Sequence, residues 1–213
     1  MKERPILFSG SMVRAILEGR KLVTRRVVKP QPQMVTDQSI KPWEGDASAL
    51  HRLLEQSGKR CPYGQPGERL WVREAWAIDM LAAHSTVDGY HSMYALQYRA
   101  DDAEREINVA PGEPDPYLAL YDSQRGDWRP SIHMPRWASR ILLEVTAVRV
   151  ERLQDINRGD AMAEGCPFPN MAAGPDPRQW FAELWQEING AESWGANPWV
   201  WVVEFKRVEA ANA

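Results

Sequence analysis

Within eight residues, Gly19-Arg20-Lys21-Leu22-Val23-Thr24-Arg25-Arg26 brings together an amine, a hydroxyl and three guanidinium groups. A threonine hydroxyl attacks a carbonyl only when a neighbouring base takes its proton. Lys21 can be that base where burial, or the positive charge of Arg20, Arg25 and Arg26, lowers its pKa. Glu74 is the candidate third member, a carboxylate that would orient the amine or move protons in a later step. Ionised beside Lys21, it would also raise the amine's pKa. Side chains three apart on a straight strand face opposite sides, so Lys21 and Thr24 converge only if the segment turns. The same three residue types equally suit a surface lysine, a strand threonine and a salt-bridged glutamate.

Anion binding is the other chemistry these residues could do. Five of the ten residues from Arg20 to Lys29 are basic and none is acidic, which marks a local positive spot on a chain of net charge -3. Arginine outnumbers lysine 20 to 6, and the guanidinium fork holds two oxygens of a phosphate or carboxylate at once. Arg20, Arg25, Arg26, Arg73 and Arg136 are therefore candidate contacts to a nucleoside or nucleic acid, and Arg140 is a further phosphate candidate. Trp71, Trp76 and Trp137 offer aromatic walls on which a base could stack, with core packing as the alternative for at least two of them. His133 could act as a general acid or read a base edge, or be a structural histidine. His51, His84 and His91 show no metal-ligand spacing, and Cys61 and Cys166 stand far apart without a CxxC, so free thiols, no metal and no cofactor are expected.

The elements that must position these groups read as follows. Pro5 to Ser9 is an apolar strand, Ser11 to Gly19 a helix with Met12, Val13, Ile16 and Leu17 at helical spacing, and Gly19 its stop. Arg20 to Val28 regains strand character. The stretch after Gln31 is polar and Pro-interrupted, with a helix at 47–56. Pro66-Gly67 turns the chain into a strand ending near Glu74, with Leu70 and Val72 on one side and Trp71 and Arg73 on the other. Tyr90 to Arg99 reads as a strand, 100–126 as a long irregular excursion, Ser139 to Arg152 as the longest strand, Ile156 to Glu164 as a helix stopped by Gly165, Pro177 to Ile188 as an amphipathic helix and Pro198 to Val208 as a final strand. Gly126-Asp127-Trp128 and Gly174-Pro175 read as turns.

At 213 residues with 44% hydrophobic and 26% charged residues, this is an ordinary folding chain rather than a disordered one. The mild net acidity argues against coating DNA through a global positive field. No apolar run reaches the roughly 18 to 20 residues that span a bilayer, and the start lacks a signal-peptide core. A cytoplasmic chain with no membrane partner, monomeric and forming a single domain over 1–213, is the expectation.

Gly19, Lys21 and Arg26 match the Gly-x-Lys-x-x-x-x-Arg signature of the ASCH domains, which are similar to PUA RNA-binding barrels. Pro5-Ile-Leu-Phe-Ser, Pro66-Gly-Glu-Arg-Leu-Trp-Val-Arg-Glu and Ser131-Ile-His-Met-Pro-Arg-Trp-Ala-Ser-Arg resemble longer ASCH proteins common in bacteria and their phages. The resemblance implies an α+β fold, a PUA-like, mostly antiparallel barrel flanked by helices, with irregular insertions at about 32–60 and 81–127. It also implies a cleft around Lys21, Thr24, Arg26 and Glu74. One bacterial branch removes the acetyl group from N4-acetylcytidine with a lysine, a threonine and a glutamate, which map onto Lys21, Thr24 and Glu74. On that pattern Thr24 attacks the amide carbonyl, Lys21 is the base, Glu74 assists proton transfer, and no metal or other cofactor takes part. Other relatives resemble RNA-binding or ribonuclease-like proteins, so RNA or single-stranded nucleic acid is the alternative partner to a modified nucleoside.

Overall fold

The computed structural model describes residues 2–36, 39–168 and 174–208. In chain order these form β1 (Glu3–Leu7), α1 (Gly10–Leu17), β2 (Val23–Val27), β3 (Gln33–Thr36), β4 (Ser39–Pro42), α2 (Ala47–Gln56), β5 (Arg69–Arg73), β6 (Trp76–Thr86), β7 (Gly89–Tyr98), β8 (Ala103–Val109), α3 (Leu118–Ser123), β9 (Leu142–Arg152), α4 (Arg158–Ala163), α5 (Pro177–Asn189) and β10 (Trp199–Val208). The class is α+β. The strands pair in sheets of five (β1-β5-β9-β10-β2), three (β6-β7-β8) and two (β3-β4). By density of internal packing the chain divides into a first unit, Met1–Arg4, Ala15–Leu70 and Leu142–Ala213, and a second, Pro5–Arg14 and Trp71–Ile141. Among the described residues no helix is long and apolar enough to cross a membrane.

The first unit is organised by β10, whose Trp-Val-Trp-Val-Val run is buried on both faces between antiparallel neighbours β9 and β2. A strand that carries no polar face must be covered twice. Val200 and Val202 pack with Val23, Leu153, Ile156 and Ala161 against Phe181 and Trp185, one turn apart on α5. That helix starts where the sequence marks it. Asp176 accepts from the Arg178 N–H at 2.9 Å, and Pro177 fills the first turn, where no donor is needed. Asn157 caps α4 in the same way through the Asp160 N–H, and Asp46 caps α2.

The second unit is built on the β6-β7-β8 meander, with Trp76, Ile78, Tyr94, Leu96, Tyr98, Met134 and Ala138 forming its core. Here the structure departs from the sequence reading. The 100–126 stretch expected to be irregular holds β8 and α3, and its proline-bearing part between them lacks a regular element. Ala103-Glu-Arg-Glu-Ile-Asn-Val109 pairs along β7, and its three charged residues obscured a strand whose other face is solvated. β6 and β7 likewise run on to a turn at Val87-Asp88, after which Gly89 opens β7 with φ 129°. The 32–60 stretch contains the β3-β4 hairpin and α2, the latter with the bounds the sequence indicated.

Two glycines bring the candidate site together. Gly19 (φ 74°) reverses the chain after α1, so that the N–H groups of Arg20 and Lys21 both reach the Ala15 carbonyl, at 2.8 and 3.0 Å. Gly165 (φ 103°) ends α4, and a Cβ there would stand 2.9 Å from the Ala15 Cβ and 3.2 Å from the Lys21 Cβ. Gly19 has no atom within 4 Å of such a Cβ. Both alanine variants incur the left-handed penalty of about 1 to 2 kcal/mol, but Gly165→Ala adds a clash. Urea unfolding should therefore show Gly165→Ala as clearly the more destabilised of the two, and equal losses would contradict the close approach.

Candidate functional site

Lys21 lies between α1 and β2, bridged to Glu164 at the end of α4, and is 1% exposed. Its ammonium donates to three acceptors: the Glu164 carboxylate at 2.7 Å, the Glu164 carbonyl at 2.9 Å and the Val23 carbonyl at 3.0 Å. An ammonium has three donors and no acceptor, so this pocket is matched to the protonated form. Burial lowers the Lys21 pKa from lysine's ordinary value, while the Glu164 carboxylate pulls it back up. Glu164 itself is 2% exposed, and its other oxygen accepts from Arg25 at 3.3 Å. Arg25 continues the network to Glu151 (3.1 Å) and Asp160 (2.6 Å), and Arg149 binds Asp160, Glu151 and Glu204.

Thr24 is also buried, opposite Val203 on β10. Successive side chains of a strand point to opposite faces, which sends Thr24 to the face away from Val23 and Arg25. Lys21 meets the carboxylate that Arg25 meets, so it belongs with Arg25, and the next residue on the side of Thr24 is Arg26. Arg26 is half-buried, its pKa lowered by desolvation, with its guanidinium 5.6 Å from the Tyr63 ring centre.

Arg26 lines a cleft of about 520 Å³ whose wall also includes Lys29, Lys59, Arg60, Tyr63, Asn189 and Trp201. Four of the lining residues are cationic and, among the described residues, none is acidic. The wall is drawn from β2, from the chain after α2, from the end of α5 and from β10. Trp201 faces Arg26 directly in the β2–β10 register. The sequence reading included Arg26 but missed Lys59, Arg60, Tyr63 and Trp201. The available signal was the Lys59-Arg60 pair followed by an aromatic, on a stretch dismissed as an insertion. It also missed Glu164, an acid in the last turn of a helix, where the dipole disfavours negative charge.

Glu74 belongs to the second unit. There it is 1% exposed and gripped by both forks of Arg140, at 2.9 Å each, while Arg140 also binds Asp101 at 2.6 and 2.9 Å and lies over the Tyr98 ring. The remaining candidates fill various structural places. Arg20 binds Glu18 and the Gly165 carbonyl, Arg73 stacks on Trp71 and donates to the Ile132 carbonyl, and Trp71 and Trp76 are buried. His133 and Arg136 are exposed on consecutive short helical turns, and Trp137 is partly exposed beside Trp76. Cys61 and Cys166 are buried free thiols. Comparison with family models, curated proteins and solved structures finds no match to this chain.

Two outcomes follow from these networks. Removing one member of a buried pair leaves an uncompensated charge, at a cost of about 3 to 5 kcal/mol. Glu164→Leu strands Lys21 and takes one of three carboxylates from Arg25, whereas Lys21→Met leaves Glu164 its arginine, so urea unfolding should rank Glu164→Leu as the more damaging and the double variant as less than the sum. In the second unit, the hydrogen bonds from Arg140 hold the Asp101 carboxyl below its ordinary pKa. A depressed acid contributes stability in full above its unfolded pKa of about 4 and loses it as pH falls through the folded value. Asp101→Asn should flatten the acid limb of a stability–pH curve, and an unchanged limb would remove Asp101 from the account.

Proposed function

We propose that this chain is an ASCH-type, PUA-like domain that binds a nucleotide or a short single-stranded stretch of RNA in the cleft beside Arg26. The observation that carries the reading is the lining of that cleft: Arg26, Lys29, Lys59 and Arg60 with the half-buried ring of Tyr63, and no carboxylate among the described residues. Cationic side chains at that density recognise phosphate oxygens, and aromatic walls accept bases of any sequence by stacking. A volume of about 520 Å³ lies within the ordinary range for small-ligand pockets and is far too small for a duplex. The lowered pKa of Arg26 supports the same reading, because a bound phosphate would offset the desolvation that lowers it. Of the signature residues, Gly19 and Lys21 then fix the chain leading into β2, and Arg26 lines the cleft and meets the ligand.

Hydrolysis of an N-acylated pyrimidine nucleoside such as N4-acetylcytidine, through Thr24, Lys21 and Glu74, is the second reading. It is favoured by the burial that lowers the Lys21 pKa toward that of a base. The satisfied ammonium and the burial of Thr24 weigh against it, since substrate must reach both. Acetate release from N4-acetylcytidine by the wild-type protein, lost in Thr24→Ala at unchanged melting temperature, would establish it.

Fluorescence anisotropy with a labelled single-stranded RNA tests the first reading. Binding should weaken steeply with salt, and Lys59→Ala and Arg60→Ala should each lower the slope of log affinity against log salt by about 0.7. Affinity that ignores salt, or that neither variant changes, would overturn it.

A further inference from the structure

We propose that His84 and His91 form a two-imidazole site for a divalent transition-metal ion on the β6–β7 hairpin. The two residues are direct register partners across the hairpin that turns at Val87-Asp88. His84 Nε2 and His91 Nδ1 stand 3.2 Å apart, with the rings crossed at 78°. Two imidazole nitrogens each about 2.0 to 2.1 Å from one ion are separated by about 2.9 Å at a square corner and about 3.3 Å along a tetrahedral edge. The observed spacing falls between those values.

A mutual hydrogen bond also suits this distance, but it gives a poor reason for the pair. His84 is exposed and His91 partly so, and between solvated groups water competes for every such bond, leaving little net gain. A metal ion uses what water does not supply: two neutral nitrogen donors whose backbones are already fixed by the strand ladder. Because the hairpin holds the ligands before the ion arrives, little ordering cost remains at binding. At 3.2 Å the two nitrogens are close enough for one ion to meet both. Among the described residues no group of three His, Cys, Asp or Glu is placed to hold an ion, so water completes the coordination and the site is open and exchangeable. The ligand class is the imidazole-preferring ions, copper(II), nickel(II) and zinc(II), rather than magnesium or calcium.

The site clamps opposite strands just before the hairpin tip, where Val87 and Tyr90 project into solvent. The ion would therefore bind together two strand ends held otherwise by backbone hydrogen bonds and by Thr86 Oγ1 donating to the Gly89 carbonyl at 2.8 Å. In sequence the pair is visible only after the hairpin turn at Val87-Asp88 is recognised, because a seven-residue separation matches neither a helical nor a zinc-finger spacing.

Isothermal titration of the full chain, free of any affinity tag, with zinc chloride and nickel chloride tests the site. One equivalent should bind, and His84→Ala and His91→Ala should each weaken it by about tenfold or more, because each leaves a single-point ligand. His133→Ala should change nothing, and circular dichroism should show all three variants folded. Hydrogen exchange at the amides of 84–91 should slow on adding zinc to the wild type and not to His91→Ala. No heat of binding to the wild type, or equal binding by His84→Ala and the wild type, would overturn the proposal and leave the two rings as a hydrogen-bonded pair.

Discussion

The Glu164 carboxylate, held between the ammonium of Lys21 and the guanidinium of Arg25, is the interaction around which the first unit is arranged. Burying three charges together costs several kcal/mol per ion in lost hydration, and the cost is offset only where geometry is close and every donor is used. That demand explains the local backbone. Gly19 must turn the chain sharply after α1 to lay Lys21 under α4, and Gly165 must end α4 without a side chain because Ala15 and the stem of Lys21 already occupy the space. An acid at a helix C-terminus opposes the helix dipole. Two cations at that terminus reverse the balance.

The second unit meets the same demand with one guanidinium. Arg140 takes Glu74 through Nε and Nη2, takes Asp101 through Nη1 and Nη2, and rests its flat face 4.1 Å from the centre of the Tyr98 ring. A lysine could supply the charge but not the planar fork or the stacking. Asp101 sits in the turn between β7 and β8 next to Asp102, whose φ of 56° lies in the left-handed region. The pairing thus fixes a tight turn as well as burying Glu74.

Most regular elements were legible because they obey local rules: the apolar run of β10, the Asp-Pro start of α5, and the glycine stops after α1 and α4. What escaped was long-range or masked by composition. Glu164 is 143 residues from Lys21 in sequence, and nothing in its own neighbourhood announces that partner. Glu104, Arg105 and Glu106 hid β8, although a strand with one solvated face accommodates such charge. His84 and His91 are related only through the hairpin that turns at Val87-Asp88. Lys59, Arg60 and Tyr63 fell in a polar, proline-marked stretch where the absence of periodicity was taken for an absence of role. Loops are where binding residues concentrate, since a rigid scaffold need only hold their ends.

The alternation of β2 sends two adjacent arginines to different surroundings. Arg25 points to the face where Glu151, Asp160 and Glu164 neutralise it, and its side chain is fully buried. Arg26, one residue on, points to the face where Trp201 and Tyr63 surround it with rings and where the cleft opens. Counting basic residues along Arg20 to Lys29 cannot distinguish them, because composition has no faces. The register can: a one-residue slip of β2 against β10 would turn Arg25 away from Glu151, Asp160 and Glu164 and toward the cleft. The Lys21–Glu164–Arg25 cluster therefore does more than bury charge. By making the wrong register costly, it holds Arg26 rather than Arg25 on the face where the cleft opens.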